Sequence, residues 1–130
     1  MQSKIHKKKI ILFISALALS TSNCNKKSEN ENQITIKINS IDEESKKRRV
    51  NMFDTLEVGK ERPGLFTKRF PTERMYITDS MGSVKIKIDP TKIYDFSVSG
   101  LNVLGGDMYY PGFLKDGQEV NIEVRHYDKN

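Results

Sequence analysis

From Ile34 onward the chain alternates apolar and polar residues. Ile34, Ile36 and Ile38 alternate with Thr35, Lys37 and Asn39. The same period of two recurs at Val84-Ile86-Ile88, Tyr94-Phe96-Val98 and Val120-Ile122-Val124. Each run places its apolar side chains on one face, the signature of a half-buried strand. One-sided strands suit an antiparallel sheet with one wet face, and two such sheets packed face to face make a sandwich. Weaker runs lie between these four. Val50, Met52, Leu56 and Val58 share a phase that Asp54 interrupts, which predicts a bulge or a break there. Met75 and Ile77 mark a short strand ending at Thr78, and residues 108–114, MYYPGFL, read as a strand broken by Pro111-Gly112. The expected fold is all-β: a small antiparallel β-sandwich of about seven strands over residues 34–130.

Turn chemistry agrees with that count. Asp79-Ser80-Met81-Gly82 offers Asp at the first position and Gly at the last, the type I preference. Asp89-Pro90, Gly105-Gly106 and Asp116-Gly117 are further punctuation. Residues 42–49, DEESKKRR, allow a single helical turn but carry no apolar face. No segment after Cys24 shows a helical stripe.

The first 23 residues follow a different pattern. A basic head, MQSKIHKKK, precedes the apolar run IILFISALAL. The uncharged stretch from Ile10 to Asn23 is shorter than the roughly 20 residues a spanning helix needs. A short apolar run behind a basic head reads as a signal peptide. Two processing routes compete. Thr21-Ser22-Asn23-Cys24 resembles the lipobox of bacterial lipoproteins, in which small residues precede a lipidated Cys. Thr21 and Asn23 depart from its usual residues. Alternatively, Ala16-Leu17-Ala18 fits the small-x-small rule for ordinary signal peptidase, which would release a soluble product. Lipidation of Cys24 also accounts for a lone thiol that has no partner for a disulfide. Residues 24–33 are polar and charged, too poor in apolar surface to order themselves, and read as a flexible tether. The expected location is the cell envelope, lipid-anchored on a bacterial membrane, with the outer membrane favoured.

Removing that segment changes the charge picture. Four of the 22 basic residues lie in the basic head, so residues 24–130 carry 18 basic against 17 acidic side chains. A net charge of about +1 gives no argument for nucleic-acid binding.

At Thr78 to Ile88, TDSMGSVKIKI, the chain resembles the carboxypeptidase-regulatory-like domain, a transthyretin-type sandwich. That pattern runs strand, D-S-x-G turn, alternating strand, then a P-x-x-Y connection, matched by Pro90, Tyr94 and Phe96. The resemblance spans residues 33–104 and departs at 59–73, a longer and more basic link. It implies a sandwich serving as an accessory or adhesion-like module, and it transfers no catalytic residue.

The search for chemistry returns little. His126 is the only histidine after the signal segment, and no Cys or His pair has metal-ligand spacing. There is no G-x-S-x-G elbow and no Lys-Ser/Thr after Gly105-Gly106. No enzyme activity, metal or cofactor is therefore expected. Two basic clusters, Lys46-Lys47-Arg48-Arg49 and Lys60-Arg62-Lys68-Arg69-Arg74, read as solvated loops balanced by neighbouring glutamates, with lipid headgroups or an anionic polymer as the alternative partner. The aromatic side chains are the best candidates for partner contact: Tyr109, Tyr110 and Phe113 around one turn, and Phe66 and Phe70 in the 59–73 loop. On a strand, one of Tyr109 and Tyr110 must point outward, and exposed Tyr suits protein or glycan contact. The bland alternative is that these rings cap the sandwich. The expected role is a non-catalytic module that binds or assembles another envelope protein. A glycan-binding accessory, a secreted binding protein and a passive structural protein are the rivals.

Overall fold

The computed structural model describes residues 32–64 and 67–128. The signal segment, Cys24, all of the tether before Asn32, and Phe66 lie outside the described residues. The described chain contains seven strands and no helix: β1 (Ile34–Asp42), β2 (Thr55–Lys60), β3 (Thr72–Ile77), β4 (Ser83–Ile88), β5 (Tyr94–Gly100), β6 (Val103–Tyr109) and β7 (Glu119–His126). Their hydrogen-bonded order is β3-β2-β5-β6-β7-β1-β4, a single sheet wrapped into a barrel-like sandwich. One layer is β4-β1-β7 and the other is β3-β2-β5-β6. Among the described residues, strand pairing joins the layers only where Val103 and Leu104 pair with His126 and Arg125.

The pairing is antiparallel with one exception: β1 and β7 run parallel, with Ile38 opposite Val120 and Ser40 opposite Ile122. A parallel neighbour requires a long crossover, and here the whole chain from β2 to β6 provides it. The alternation along single strands says nothing about this, because both pairings use the same period.

The four clear runs became β1, β4, β5 and β7 with their apolar residues inside. Ile36, Ile38, Ile86, Ile88, Phe96, Val98, Ile122 and Val124 form one buried cluster with Leu56, Val58 and Val103. Burying each of these large side chains stabilises the fold by roughly 1.5–3 kcal/mol. The weaker runs needed correction. β2 begins only at Thr55, so Val50 and Met52 lie in a loop and are exposed. On β3 it is Tyr76 that faces Leu56 and the interior, while Met75 and Ile77 point outward. Gly105-Gly106 sits inside β6, not in a turn. A side chain at Gly105 would collide with the Glu123 carbonyl, so glycine lets β6 approach β7 there. The turn falls instead at Leu101-Asn102.

The Asp79–Gly82 turn forms as expected. Gly82 N–H donates to the Asp79 carbonyl at 3.0 Å, and Asp79 Oδ1 accepts from the Met81 and Ser83 N–H groups. Its flanking strands do not make a hairpin, however. β3 pairs with β2 and β4 with β1, so the turn arches from one layer to the other. β3 and β4 are consequently the two free edges. Lys85 and Lys87 project from β4, and such charges discourage edge-to-edge aggregation. Arg74 spans the gap by donating to the Lys87 carbonyl at 3.3 Å.

Successive connections alternate between the two ends of the sandwich. The chain enters β1 at what we term the near end. Loops 61–71, 89–93 and 110–118 lie there too. Loops 43–54, 78–82 and 101–102 lie at the far end, with the end of β7.

Candidate functional site

The far end is closed by a buried polar plug. Arg49 is 7% exposed and Asp54 is fully buried. Arg49 Nε and Nη2 donate to Asp54 Oδ2 and Oδ1 at 2.8 and 3.3 Å, and the Ser40 hydroxyl donates to Oδ2 at 2.7 Å. Two glycines make room for it. A Cβ at Gly100 would overlap Asp54 Oδ1, and one at Gly82, where φ is +76°, would press on the Arg49 carbonyl. The backbone then ties the loops together. Asn51 N–H donates to the Ser80 carbonyl at 2.8 Å, and Thr78 N–H to the Asp54 carbonyl at 2.9 Å.

Above this plug the loops turn apolar side chains outward. Val50, Met52, Phe53, Met81 and Leu101 are all exposed, Leu101 by 75%. The rim continues onto the outer face of the β2-containing layer. There Ile77 is opposite Thr55, and Leu104 is opposite Ser99, one row across the sheet. Phe53 holds φ at +50°, a left-handed conformation costly for a bulky residue. Lys46, Asn51 and Asn102 at the same end also have positive φ.

Beside the rim, an open groove of about 450 Å³ runs where β6 and β7 diverge, lined by Glu43, Glu123, Arg125, His126 and Tyr127 among others. Arg125 and Glu43 pair with each other in the groove, while Glu123 and His126 pair with Lys46 and Asp42 beside it. Arg125 donates two bonds to Glu43 at 2.9 and 3.0 Å, which pulls the Glu43 carboxyl down and the guanidinium up. His126 Nε2 lies 2.8 Å from Asp42 Oδ1. Asp42 also accepts the Ser45 N–H. That bond, the Ser45 hydroxyl and His126 hold its carboxyl at about 2. Among the described residues no three His, Cys, Asp or Glu side chains are grouped to hold a metal ion.

No protein-family model matches the chain, and no curated protein matches it.

The near end gathers most of the aromatic candidates. Tyr109 faces inward opposite Tyr94, and its ring centroid is 5.6 Å from that of Phe96. Burial, with Asp107 adding to it, raises the Tyr109 hydroxyl to about 12. It is a packing residue. Tyr110 and Phe113 point outward, 52% and 69% exposed. Phe70 is half-buried and crosses over Gly59, where a Cβ would lie 3.0 Å from the Phe70 carbonyl. A shallow cleft of about 360 Å³ lined by Glu61, Pro63, Thr91, Lys92, Ile93 and Pro111 brings all three near-end loops together.

The basic clusters divide between the ends. Arg49 is buried rather than solvated. Lys46 and Arg48 pair with Glu123 and Glu119 on β7 at 2.8 and 3.7 Å. At the near end Lys60 pairs with Glu73 and Lys68 with Glu61. Arg62 and Arg69 lie opposite each other in an isolated antiparallel bridge. The far-end rim and its plug escaped the sequence reading. The signal was there: an acid breaking an apolar phase at position 54, five residues after an arginine.

Proposed function

We propose that this chain is an exported, lipid-anchored envelope module without catalytic activity, which binds another envelope protein through its far-end rim. The observation that carries this reading is the rim itself. Large apolar side chains project from loops held by a buried ion pair, and single exposed apolar residues are common where contiguous sets are not. Rigid, preorganised loops lose little entropy on binding. The export segment and Cys24 support the location, and the D-S-M-G turn with its alternating strand supports a transthyretin-type domain. The paired state of Arg125, Glu43, His126 and Asp42 supports a structural rather than a catalytic use of the groove.

The test places a photo-crosslinking residue at Leu101 in the native cell, with Phe113 as the comparison site, and records the intact mass of the mature protein. The expected result is an acylated N-terminus at Cys24. With it comes a single envelope-protein adduct from Leu101 that disappears when Phe53 and Met81 are changed to Ser. A soluble product beginning near Leu19 with an unmodified thiol would sink the anchored reading. Adducts that survive the Ser changes, or none, would sink the rim.

A further inference from the structure

We propose that the near end is a membrane-contact face that docks on anionic phospholipid headgroups, with Tyr110 and Phe113 entering the interfacial layer. This rests on the anchored reading above and adds an orientation to it. Three observations converge. The first is charge. Arg62, Arg69, Lys92 and Lys115 make no ion pair among the described residues, whereas Glu61 and Glu73 are paired with Lys68 and Lys60. Asp89 and Asp116, also at this end, accept the backbone N–H groups of Thr91 and Thr35 but keep their negative charge, so they offset two of these four cations and leave the surplus that Arg62 and Arg69 represent. Arg62 and Arg69 face each other across a bridge closed by bonds of 2.9 and 3.4 Å. Like charges directly opposite are unfavourable unless an anion lies between them.

The second observation is the pair of rings. Tyr110 and Phe113 stand at the tip of the β6–β7 loop, which Pro111 and Gly112 carry outward; Gly112 has φ +87°. Aromatic residues beside basic ones are the usual anchors of a bilayer interface. The third is reach. Nine residues lie between Cys24 and Ile34, where β1 begins at this same end. A random coil of that length averages about 17 Å end to end. β1 has 9 residues, so the sandwich is about 30 Å long. An acyl group at Cys24 therefore holds the near end against the bilayer and leaves the far end facing away from it.

The test uses residues 24–130 with Cys24→Ser, so that no lipid is attached; every core side chain lies between Ile36 and Val124, so this chain keeps the whole sandwich. The protein has no tryptophan, so Phe113→Trp supplies a single tryptophan that can be excited selectively over the tyrosines, and Leu101→Trp supplies the far-end control. With vesicles of phosphatidylcholine and phosphatidylglycerol at 3:1, the Phe113→Trp emission shifts to the blue and the Leu101→Trp emission does not. Pure phosphatidylcholine, or 0.5 M salt, removes the response. Changing Arg62 and Arg69 together to Ala lowers partitioning roughly 30-fold, about fivefold for each charge. No response to anionic vesicles, an equal response at both ends, or binding only to soluble dextran sulfate overturns the proposal. Each of these results leaves the acyl mass at Cys24 untouched, so failure here is distinguishable from failure of the anchored reading.

Discussion

Among the described residues, all four non-glycine positions with positive φ, Lys46, Asn51, Phe53 and Asn102, are at the far end. At the near end the positive φ angles belong to Gly112 and Gly117, which adopt them without strain. The far end buries one ion pair, Arg49 and Asp54, and shows apolar side chains beside charges that are exposed but paired, such as Arg125 with Glu43. The near end shows its charge together with two rings. The same seven strands support both ends, so the difference lies in what each set of loops must satisfy. A buried guanidinium and carboxylate fix the backbone above them, and strained conformations persist there because the surroundings over-determine them. Local side-chain caps close turns at both ends, Asp79 at the far end and Asp89 Oδ1 accepting from Thr91 N–H at 2.9 Å at the near end, but among the described residues only the far end adds a buried ion pair.

The comparison breaks most sharply at the plug. Arg49→Ala leaves Asp54 buried and uncompensated and is expected to cost about 3–5 kcal/mol in chemical denaturation. Arg62→Ala at the near end should cost less than about 0.5 kcal/mol. Equal effects would mean that the far end is no more constrained than the near one. Gly100→Ala drives a methyl group into Asp54 and should cost about 1–3 kcal/mol. The same change at Gly106, where the added Cβ meets the Phe96 carbonyl at 2.9 Å, tests whether the plug or merely close strand packing sets the penalty. Phe53→Gly should raise stability by about 0.5–1 kcal/mol, the relief of a left-handed Phe less the added freedom of Gly when unfolded. If it lowers stability, Phe53 belongs to the core rather than to a rim kept at a cost.

The smallest effects are at the surface. Tyr110→Ser and Phe113→Ser should each shift the unfolding midpoint by less than about 0.5 kcal/mol in equivalent stability, which separates contact residues from Tyr109, whose ring packs on Phe96. Asp42 supplies a pH signature for the far end. Its carboxyl is held at about 2 in the fold against an ordinary 3.8. A depressed folded value stabilises the fold above the ordinary value, and that contribution fades as pH falls through about 2. Melting temperatures of the wild type and Asp42→Asn should therefore converge between pH 4 and pH 2, most of the difference being gone at the lower limit. A gap that stays constant through that range would show that Asp42 acts without its charge.

The alternation of apolar and polar residues by itself determined an all-β chain, about seven strands and the inward faces of β1, β4, β5 and β7. That pattern is local, since a strand buried on one face must repeat every two residues wherever it sits. The Asp79–Gly82 and Asp116-Gly117 turns were legible for the same reason, because the closing bond of each spans three residues, from Gly82 N–H to the Asp79 carbonyl and from Gln118 N–H to the Lys115 carbonyl. Only the tertiary structure decided which strands pair. The parallel β1–β7 contact, the arch between β3 and β4, and the inclusion of Gly105-Gly106 in a strand all depend on partners far along the chain. The sites followed suit. Tyr109 and Tyr110 were distinguishable as one in and one out, but not which was which. Arg49 looked like one more solvated cation in a basic run. It is buried because Asp54, Ser40 and the space left by Gly100 meet it at the far end; the spacing of Arg49 and Asp54 hints at the pair, but Ser40 and Gly100 are brought to it only by the fold.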